Sequence, residues 1–302
     1  MTANRAIELF DRRALGRALS RAARATTSEV VRDLARTANR APRIGVTGAP
    51  GVGKSTLIGR LARHRIERSA PLAVIAVDPS SPRSGGSLLG DRVRMEDLAD
   101  DPRLYIRSLP SGRAHDGLGD NLPEVLAAVD GFNFTEIILE TVGVGQTGYG
   151  VRQLVDVEVL VVMPGLGDSL QAMKAGILET PDVIVINKAE LPGAELTMAE
   201  LRSVMATRAS ADSPQLLTVS KDDDNGVRRL SEVLDAELER ARQRTDESTW
   251  RRRVNRYRTQ SLVSRELAET LAELPEATFD RPLEQIYRDV IAHLARAVGG
   301  ER

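Results

Sequence analysis

The sequence lacks cysteine altogether, which excludes disulfide bonds, thiolate zinc sites and iron–sulfur clusters. It also lacks any apolar run near the roughly 18 residues that a membrane helix needs. Neither charge is in excess, because 42 basic residues face 43 acidic ones and leave a net charge of −1. A dedicated nucleic-acid-binding protein carries a basic excess, so we expect no nucleic-acid partner. Because no apolar run is long enough, we also expect no membrane partner. The polar start of the chain is unlike a signal peptide, and the expected location is therefore the cytoplasm.

Lysine is scarce, since only four of the 42 basic residues are lysines: Lys54, Lys174, Lys188 and Lys221. In a chain that uses arginine wherever either residue serves, the remaining lysines are candidates for special sites. Such sites need a compact ammonium group or a flexible stem, which a planar guanidinium cannot imitate.

Hydrophobic periodicity divides the 302 residues into three parts. Residues 1–40 have helical spacing and predict an N-terminal helical extension of two amphipathic helices. Residues 41–240 alternate short β-branched runs with helical stretches, and several runs are apolar on both faces, as buried parallel strands require. Charged helices return over residues 241–302 and predict a C-terminal helical extension. We therefore predict an α/β fold with a doubly wound, mainly parallel sheet between two helical extensions.

The most specific motif is G-x-x-x-x-G-K-[ST], which follows the first predicted strand and begins a helix, as a P-loop does. The predicted phosphate-binding residues are Gly48, Ala49, Pro50, Gly51, Val52, Gly53, Lys54, Ser55 and Thr56. The glycines allow backbone N–H groups to surround the phosphates, and the helix N-terminus adds its positive dipole end. Lys54 is expected between the β- and γ-phosphates, and the Ser55 hydroxyl is expected to bind Mg²⁺.

A second motif concerns the base. Asn187-Lys188-Ala189-Glu190 follows an apolar strand and resembles the N-K-x-D motif of GTPases, whose carboxylate accepts hydrogen bonds from guanine N1–H and the N2 amino group. Glu190 is one methylene longer than the usual Asp and can still accept both bonds. After the next predicted strand, Val219, Ser220 and Lys221 occupy the place of the loop whose backbone touches guanine O6. The expected ligands are therefore GTP and GDP.

Acidic residues between these motifs are candidates for the metal. Asp78 and Glu140 each end a predicted strand, and carboxylates at that edge of a parallel sheet are well placed to hold Mg²⁺ beside the phosphates. Asp91 lies in the polar segment that follows Asp78. Gly143 is expected to donate its N–H to the γ-phosphate, so that the following loop responds to the nucleotide.

Taken in order, these segments resemble the MeaB/ArgK-type G proteins, which are P-loop GTPases that serve adenosylcobalamin-dependent acyl-CoA mutases. The matching segments are GAPGVGKST, DPSSPRSGGSLLGDRVRM, ETVGVGQ, PGLGDSLQAMKAGILE and NKAE. The resemblance covers roughly residues 41–220. It implies a GTPase that gates delivery of adenosylcobalamin to the mutase, protects or reactivates that enzyme, and usually forms a homodimer through its helical extensions.

The resemblance also implies roles for individual residues. Lys54 and Asp91 would take part in hydrolysis, and Asp168–Lys174 would be a third switch loop through which the mutase stimulates hydrolysis. Gln171 and Lys174 are the residues of that loop that we assign to catalysis. Two features depart from the family pattern: Glu190 replaces Asp, and residues 108–119 only loosely follow the usual glycine-rich segment.

Two other functions fit parts of the pattern. A P-loop kinase for a small molecule would prefer ATP, which the Asn187–Glu190 motif argues against. A nucleotide-dependent interaction module with negligible hydrolysis is the other alternative, because Gln146 is displaced by two positions from the water-orienting Gln of Ras-like proteins. The basic run Trp250–Arg258 predicts a helix face that pairs with acidic residues of a dimer or partner.

Overall fold

The computed structural model describes most of the chain, namely residues 10–32, 40–78, 98, 100–111, 118–119, 121–141, 148–165, 181–207 and 213–299. Four predicted site residues lie outside the described residues: Asp91, Gly143, Gln171 and Lys174.

The described strands form one seven-stranded sheet in which every pair is parallel. The strands are β1 (Arg43–Thr47), β2 (Leu72–Asp78), β3 (Leu104–Pro110), β4 (Glu136–Glu140), β5 (Val157–Val162), β6 (Val183–Asn187) and β7 (Gln215–Val219). Their order across the sheet is β3-β2-β4-β1-β5-β6-β7. This confirms the predicted doubly wound sheet, and each predicted β-branched run is a strand.

Helices cover both faces of the sheet and continue beyond it. They are α1 (Arg12–Arg24), α2 (Thr27–Arg32), α3 (Lys54–Arg65), α4 (Leu122–Asp130), α5 (Gly148–Leu154), α6 (Ala194–Thr207), α7 (Asp224–Arg244), α8 (Glu247–Glu273) and α9 (Leu283–Gly299). A short 3-10 helix, Glu276–Asp280, separates α8 from α9. None of the described helices is both long enough and apolar enough to span a bilayer.

The central strands are buried on both faces, because each face packs against its own layer of helices. One core cluster joins the sheet to α3 and α7, through residues such as Leu61 and Leu230. A second joins the opposite face to α1, α4, α5 and α8, through residues such as Leu15, Val151 and Tyr257. Both helical extensions therefore pack on the same face of the sheet. A third, smaller cluster joins β5 and β6 to α6.

Several residues of the basic run in α8 contact other parts of this chain. Val254 and Tyr257 are buried in the core cluster, because the helix is amphipathic. Arg258 forms an ion pair with Glu124 of α4 at 2.9 Å, and Arg253 donates to the carbonyl of Val155. The acid that Arg258 meets thus belongs to its own chain, where the sequence had predicted a dimer or partner.

Candidate nucleotide-binding site

The loop from β1 to α3 adopts a backbone conformation that requires glycine. Gly48, Gly51 and Gly53 have φ values of 147°, 82° and 93°. A Cβ atom on Gly48 would lie 2.2 Å from the carbonyl oxygen of Val161, and one on Gly53 would lie 2.6 Å from Asn187 Nδ2. Side chains at these two positions are therefore excluded by contact as well as by conformation. The loop packs directly against the ends of β5 and β6.

Lys54 folds back over this loop. Its buried Nζ donates to the carbonyl oxygens of Gly48 at 2.8 Å and Ala49 at 3.2 Å. Among the described residues no side chain caps the start of α3, where Gly53 is the N-cap residue. A helix that begins directly after a glycine-rich loop is the arrangement that binds phosphate at a helix N-terminus.

Ser55 and Glu140 bring the phosphate loop and the neighbouring strand together. The Ser55 hydroxyl donates to Glu140 Oε1 at 2.7 Å, and both side chains are buried. Strand β2 pairs with β4 on the side away from β1. Asp78 ends β2, and its side chain is buried at the same edge of the sheet as Glu140. A hydroxyl and two carboxylates are oxygen donors of the type that Mg²⁺ prefers, so the residues present fit the predicted metal.

The residues predicted to bind the base lie beside the phosphate loop. Asn187 Nδ2 donates to the carbonyl of Val52 at 2.8 Å, and Lys188 Nζ donates to the carbonyl of Gly51 at 2.8 Å. Lys188 has a φ of 55°, in the left-handed region, and its side chain reaches back to the loop. Both side chains therefore hold the phosphate loop against the end of β6.

Glu190 lies next to the loop that follows β7. Its Oε2 accepts the backbone N–H of Lys221 at 3.0 Å, and the N–H of Ala189 donates to the carbonyl of Val219 at 3.1 Å. The carboxylate itself is exposed to solvent. The two segments that the sequence assigned to guanine are thus in direct contact.

Arg60 is a residue of this site that the sequence did not indicate. It lies on α3, and its Nη1 donates to the carbonyl oxygen of Ser220 at 2.8 Å. One arginine among many on a basic helix carries no local signal, because the contact joins residues 160 positions apart. Met163, whose sulfur lies 3.7 Å from Lys188 Nζ, was missed for the same reason.

A parallel sheet that carries a P-loop and an Asn-Lys-x-acid segment at its carboxyl edge defines the class of P-loop GTPases. The family model described as methylmalonyl-CoA mutase-associated GTPase MeaB matches residues 12–276. The chain therefore belongs to the MeaB family of P-loop GTPases, as its motifs predicted.

Individual relatives agree with this assignment. The chain is 41% identical over 201 residues to a probable GTPase of Mycobacterium bovis, covering 65% of this chain and 60% of that protein. It is 36% identical over 198 residues to the mouse mitochondrial methylmalonic aciduria type A homolog (64% and 48% covered), and 44% identical over 146 residues to the GTPase ArgK of Escherichia coli (48% and 44%). These alignments thus span about half of the relatives' own lengths.

The fold also matches a solved structure. The crystal structure of a LAO/AO transport system kinase superposes with a TM-score of 0.57 at 20% identity, covering 95% of this chain and 99% of that one. At this identity the match supports the fold alone.

Proposed function

We propose that this protein binds GTP and hydrolyses it, with Mg²⁺, to GDP and phosphate. One observation carries the proposal: Asn187 and Lys188, from the predicted base site, both donate to carbonyls of the phosphate loop. A single ligand with phosphates at one end and a base at the other therefore fits across the two segments. Adenine lacks the two donors that a carboxylate such as Glu190 would accept, which favours guanine.

The roles of the residues follow from their positions. On nucleotide binding, the Lys54 ammonium would leave its hydrogen bonds to the loop carbonyls and bind oxygens of the β- and γ-phosphates, whose negative charge complements its own. Ser55, Glu140 and Asp78 would hold Mg²⁺, which supplies positive charge to the phosphates as charge develops during hydrolysis. Lys54, Asp91, Gln171 and Lys174 are the proposed catalytic residues, and Asp91 is also a proposed metal ligand. Gly143 is the proposed donor to the γ-phosphate.

We further propose that the nucleotide state gates delivery of adenosylcobalamin to an acyl-CoA mutase, and that the protein protects or reactivates that enzyme. Membership of the MeaB family supports the choice of partner, since the family description names methylmalonyl-CoA mutase. The proposed intrinsic hydrolysis is slow and is stimulated by the mutase. The protein acts as a homodimer in the cytoplasm, with no nucleic-acid or membrane partner.

The test compares the full chain with Lys54→Ala in assays of phosphate release from GTP and ATP. We expect GTP to be hydrolysed in preference to ATP, and more rapidly when the cognate mutase is present. Lys54→Ala should remove both the basal and the stimulated hydrolysis of GTP. Candidate mutases for methylmalonyl-CoA, isobutyryl-CoA and hydroxyisobutyryl-CoA are added in turn. Transfer of phosphate to a small molecule would establish the kinase alternative. Nucleotide-dependent binding of a mutase without phosphate release would establish the interaction module.

A further inference from the structure

One peptide group beside the predicted base site is held from both sides by charged side chains. Its carbonyl oxygen, on Ser220, accepts from Arg60 Nη1 at 2.8 Å. Its N–H, on Lys221, donates to Glu190 Oε2 at 3.0 Å. The positive guanidinium thus lies at the negative end of the peptide dipole and the carboxylate lies at its positive end. Hydrogen bonds in such a chain strengthen one another, and both are assisted by a charge.

The carbonyl of Ser220 is the main partner of Arg60 in this arrangement. The Arg60 side chain is 22% exposed, so its charge is partly removed from solvent. The carboxylate of Asp224 lies 3.5 Å from Nη2, but that side chain is 83% exposed. An ion pair so exposed contributes little. Arg60 therefore joins the helix that begins at the phosphate loop to the loop that follows β7.

Glu190 needs such an anchor more than an aspartate would. A glutamate has one more rotatable bond than an aspartate, and an exposed glutamate carboxylate samples many orientations. The bond from the Lys221 N–H fixes one carboxylate oxygen and leaves Oε1 and the remaining lone pairs for a ligand. The orientation of Glu190 therefore depends on where the Ser220–Lys221 peptide lies.

We propose that Arg60 is a positioning residue for guanine recognition. It fixes the Ser220–Lys221 peptide, and this peptide fixes the Glu190 carboxylate toward the N1–H and N2 amino group of the base. The proposal rests on the GTP binding proposed above. It assigns Arg60 an effect on base selectivity, which a merely structural contact between α3 and the loop would not have.

The experiment measures the affinities of the full-length chain for GDP, IDP and ADP by calorimetry. IDP lacks the N2 amino group, so the GDP-to-IDP affinity ratio reports the carboxylate directly. The variants are Arg60→Ala, Arg60→Lys, Glu190→Ala and the double variant Arg60→Ala/Glu190→Ala. Arg229→Ala, an exposed arginine of α7, is the matched control. A ratio of two affinities within one variant does not change with the fraction of protein that is folded.

We expect Arg60→Ala to lower the GDP-to-IDP ratio about fivefold, equivalent to about 1 kcal/mol, and to leave ADP affinity unchanged. Arg60→Lys should restore part of the ratio, since an ammonium can still donate to the Ser220 carbonyl. In the Glu190→Ala background the same Arg60 change should alter the ratio less than twofold, because coupled residues are not additive. Arg229→Ala should match the parent.

The result that overturns the proposal is an Arg60→Ala variant with the parental GDP-to-IDP ratio, or an effect that is equally large with and without Glu190. Failure of the proposed GTP binding has a different signature. In that case the parent protein itself binds GDP no better than ADP.

Discussion

At the scale of single residues, the site depends on side chains that meet across long stretches of sequence. Glu190 contacts the backbone of Lys221, 31 positions away, and Ser55 contacts Glu140, 85 positions away. Each of these side chains has a chemical role that a substitution can isolate. Two predictions belong to this scale.

Glu190→Ala should weaken GTP binding at least tenfold and leave the weak ATP binding near its baseline. In the proposed complex the carboxylate would pair with two donors that guanine has and adenine lacks, and a hydrogen bond to a charged group contributes about 1.5–3 kcal/mol. Competition binding with a fluorescent guanine nucleotide measures both affinities. Equal affinity of the parent protein for GTP and ATP would contradict the assignment.

Glu140→Ala should reduce GTP affinity at low Mg²⁺ and recover part of it when Mg²⁺ is raised. The Ser55 hydroxyl and Glu140 Oε1 are buried and lie 2.7 Å apart, so removing one of these proposed ligands should weaken Mg²⁺ binding without abolishing it. Asp78→Ala should respond in the same way. A magnesium titration of nucleotide binding tests this, and variants that do not respond to the metal would make both residues structural strand ends.

At the scale of elements, α1 is anchored to the turn that precedes β3. Arg12 of α1 donates to the backbone carbonyls of Asp101 and Leu104. The Asp101 carboxylate in turn accepts hydrogen bonds from the backbone N–H, Nε and Nη2 of Arg103. This turn therefore presents its carbonyls to Arg12 in a fixed geometry, and the N-terminal extension docks on it.

The hydrogen bonds from Arg103 lower the pKa of the Asp101 carboxyl below its ordinary value of 3.8. An acid whose pKa is lowered by folding adds stability above its unfolded pKa and loses it as the pH falls through the folded value. Asp101→Asn should therefore cost about 1 kcal/mol at neutral pH, since solvent screens this partly exposed group. Denaturant unfolding from pH 7 to pH 3 measures the difference from the parent.

The difference between the two proteins should shrink as the pH falls below about 4, where the unfolded carboxyl takes up its proton. Subtracting the two curves removes the contributions of all other acids. A difference that stays constant down to pH 3 would show that Asp101 acts without its charge.

At the scale of the whole molecule, α1 of the N-terminal extension and α8 of the C-terminal extension pack on the same face of the sheet. Arg265 of α8 donates to Asn121 Oδ1 at 2.6 Å and to Thr27 Oγ1 at 2.8 Å, which ties the two extensions to the start of α4. Near the other end of α8, the guanidinium of Arg40 lies 4.1 Å from the ring centre of Trp250. The boundaries between the helical extensions and the nucleotide-binding part of the chain, near residues 40 and 240, stay a prediction.

Large apolar side chains are exposed beyond these anchors. Leu283 is 79% exposed and Tyr287 is 65% exposed, one turn apart on α9. Nearby Phe279 and Ile291 are also exposed. Exposed apolar patches of this kind mark interaction surfaces, which is consistent with the proposed homodimer.

A double substitution, Leu283→Asp with Tyr287→Asp, should therefore shift the protein from dimer to monomer. As a monomer, the double variant should melt at nearly the same temperature as the monomeric parent, because neither side chain is part of the described core. Light scattering coupled to size-exclusion chromatography at several concentrations gives the mass, with Arg229→Asp as the control. A parent that is already monomeric, or a double variant that dimerises like the parent, would refute this use of the surface.

Lys174→Ala tests the coupling between nucleotide and partner. It should keep basal GTP turnover within about threefold of the parent and lose most of the increase that the mutase produces. The reason is that a cation brought in by partner docking can stabilise transition-state charge by about 10³-fold or more, as an arginine finger does. Phosphate release with and without the cognate mutase measures both rates, and full stimulation of the variant would exclude this role.

The sequence by itself determined the elements and the phosphate loop. Strands such as Val183–Asn187 are short runs that are apolar on both faces, a pattern that is typical of buried parallel strands. Gly48 and Gly53 were predictable because a phosphate loop needs positive φ values at such positions, which glycine adopts without a steric penalty. Both properties are local, since they depend on backbone conformation and on which faces of a segment avoid water.

Only the tertiary structure decided which residues meet at the carboxyl edge. The placement of β1 between β4 and β5 brings Glu140 to Ser55, and the packing of α3 against α7 brings Arg60 to Ser220. Helical periodicity places residue 60 on a face of α3 but does not say which element covers that face. Strand order and helix packing depend on contacts between distant segments, and these contacts leave no periodic trace in the sequence around either partner.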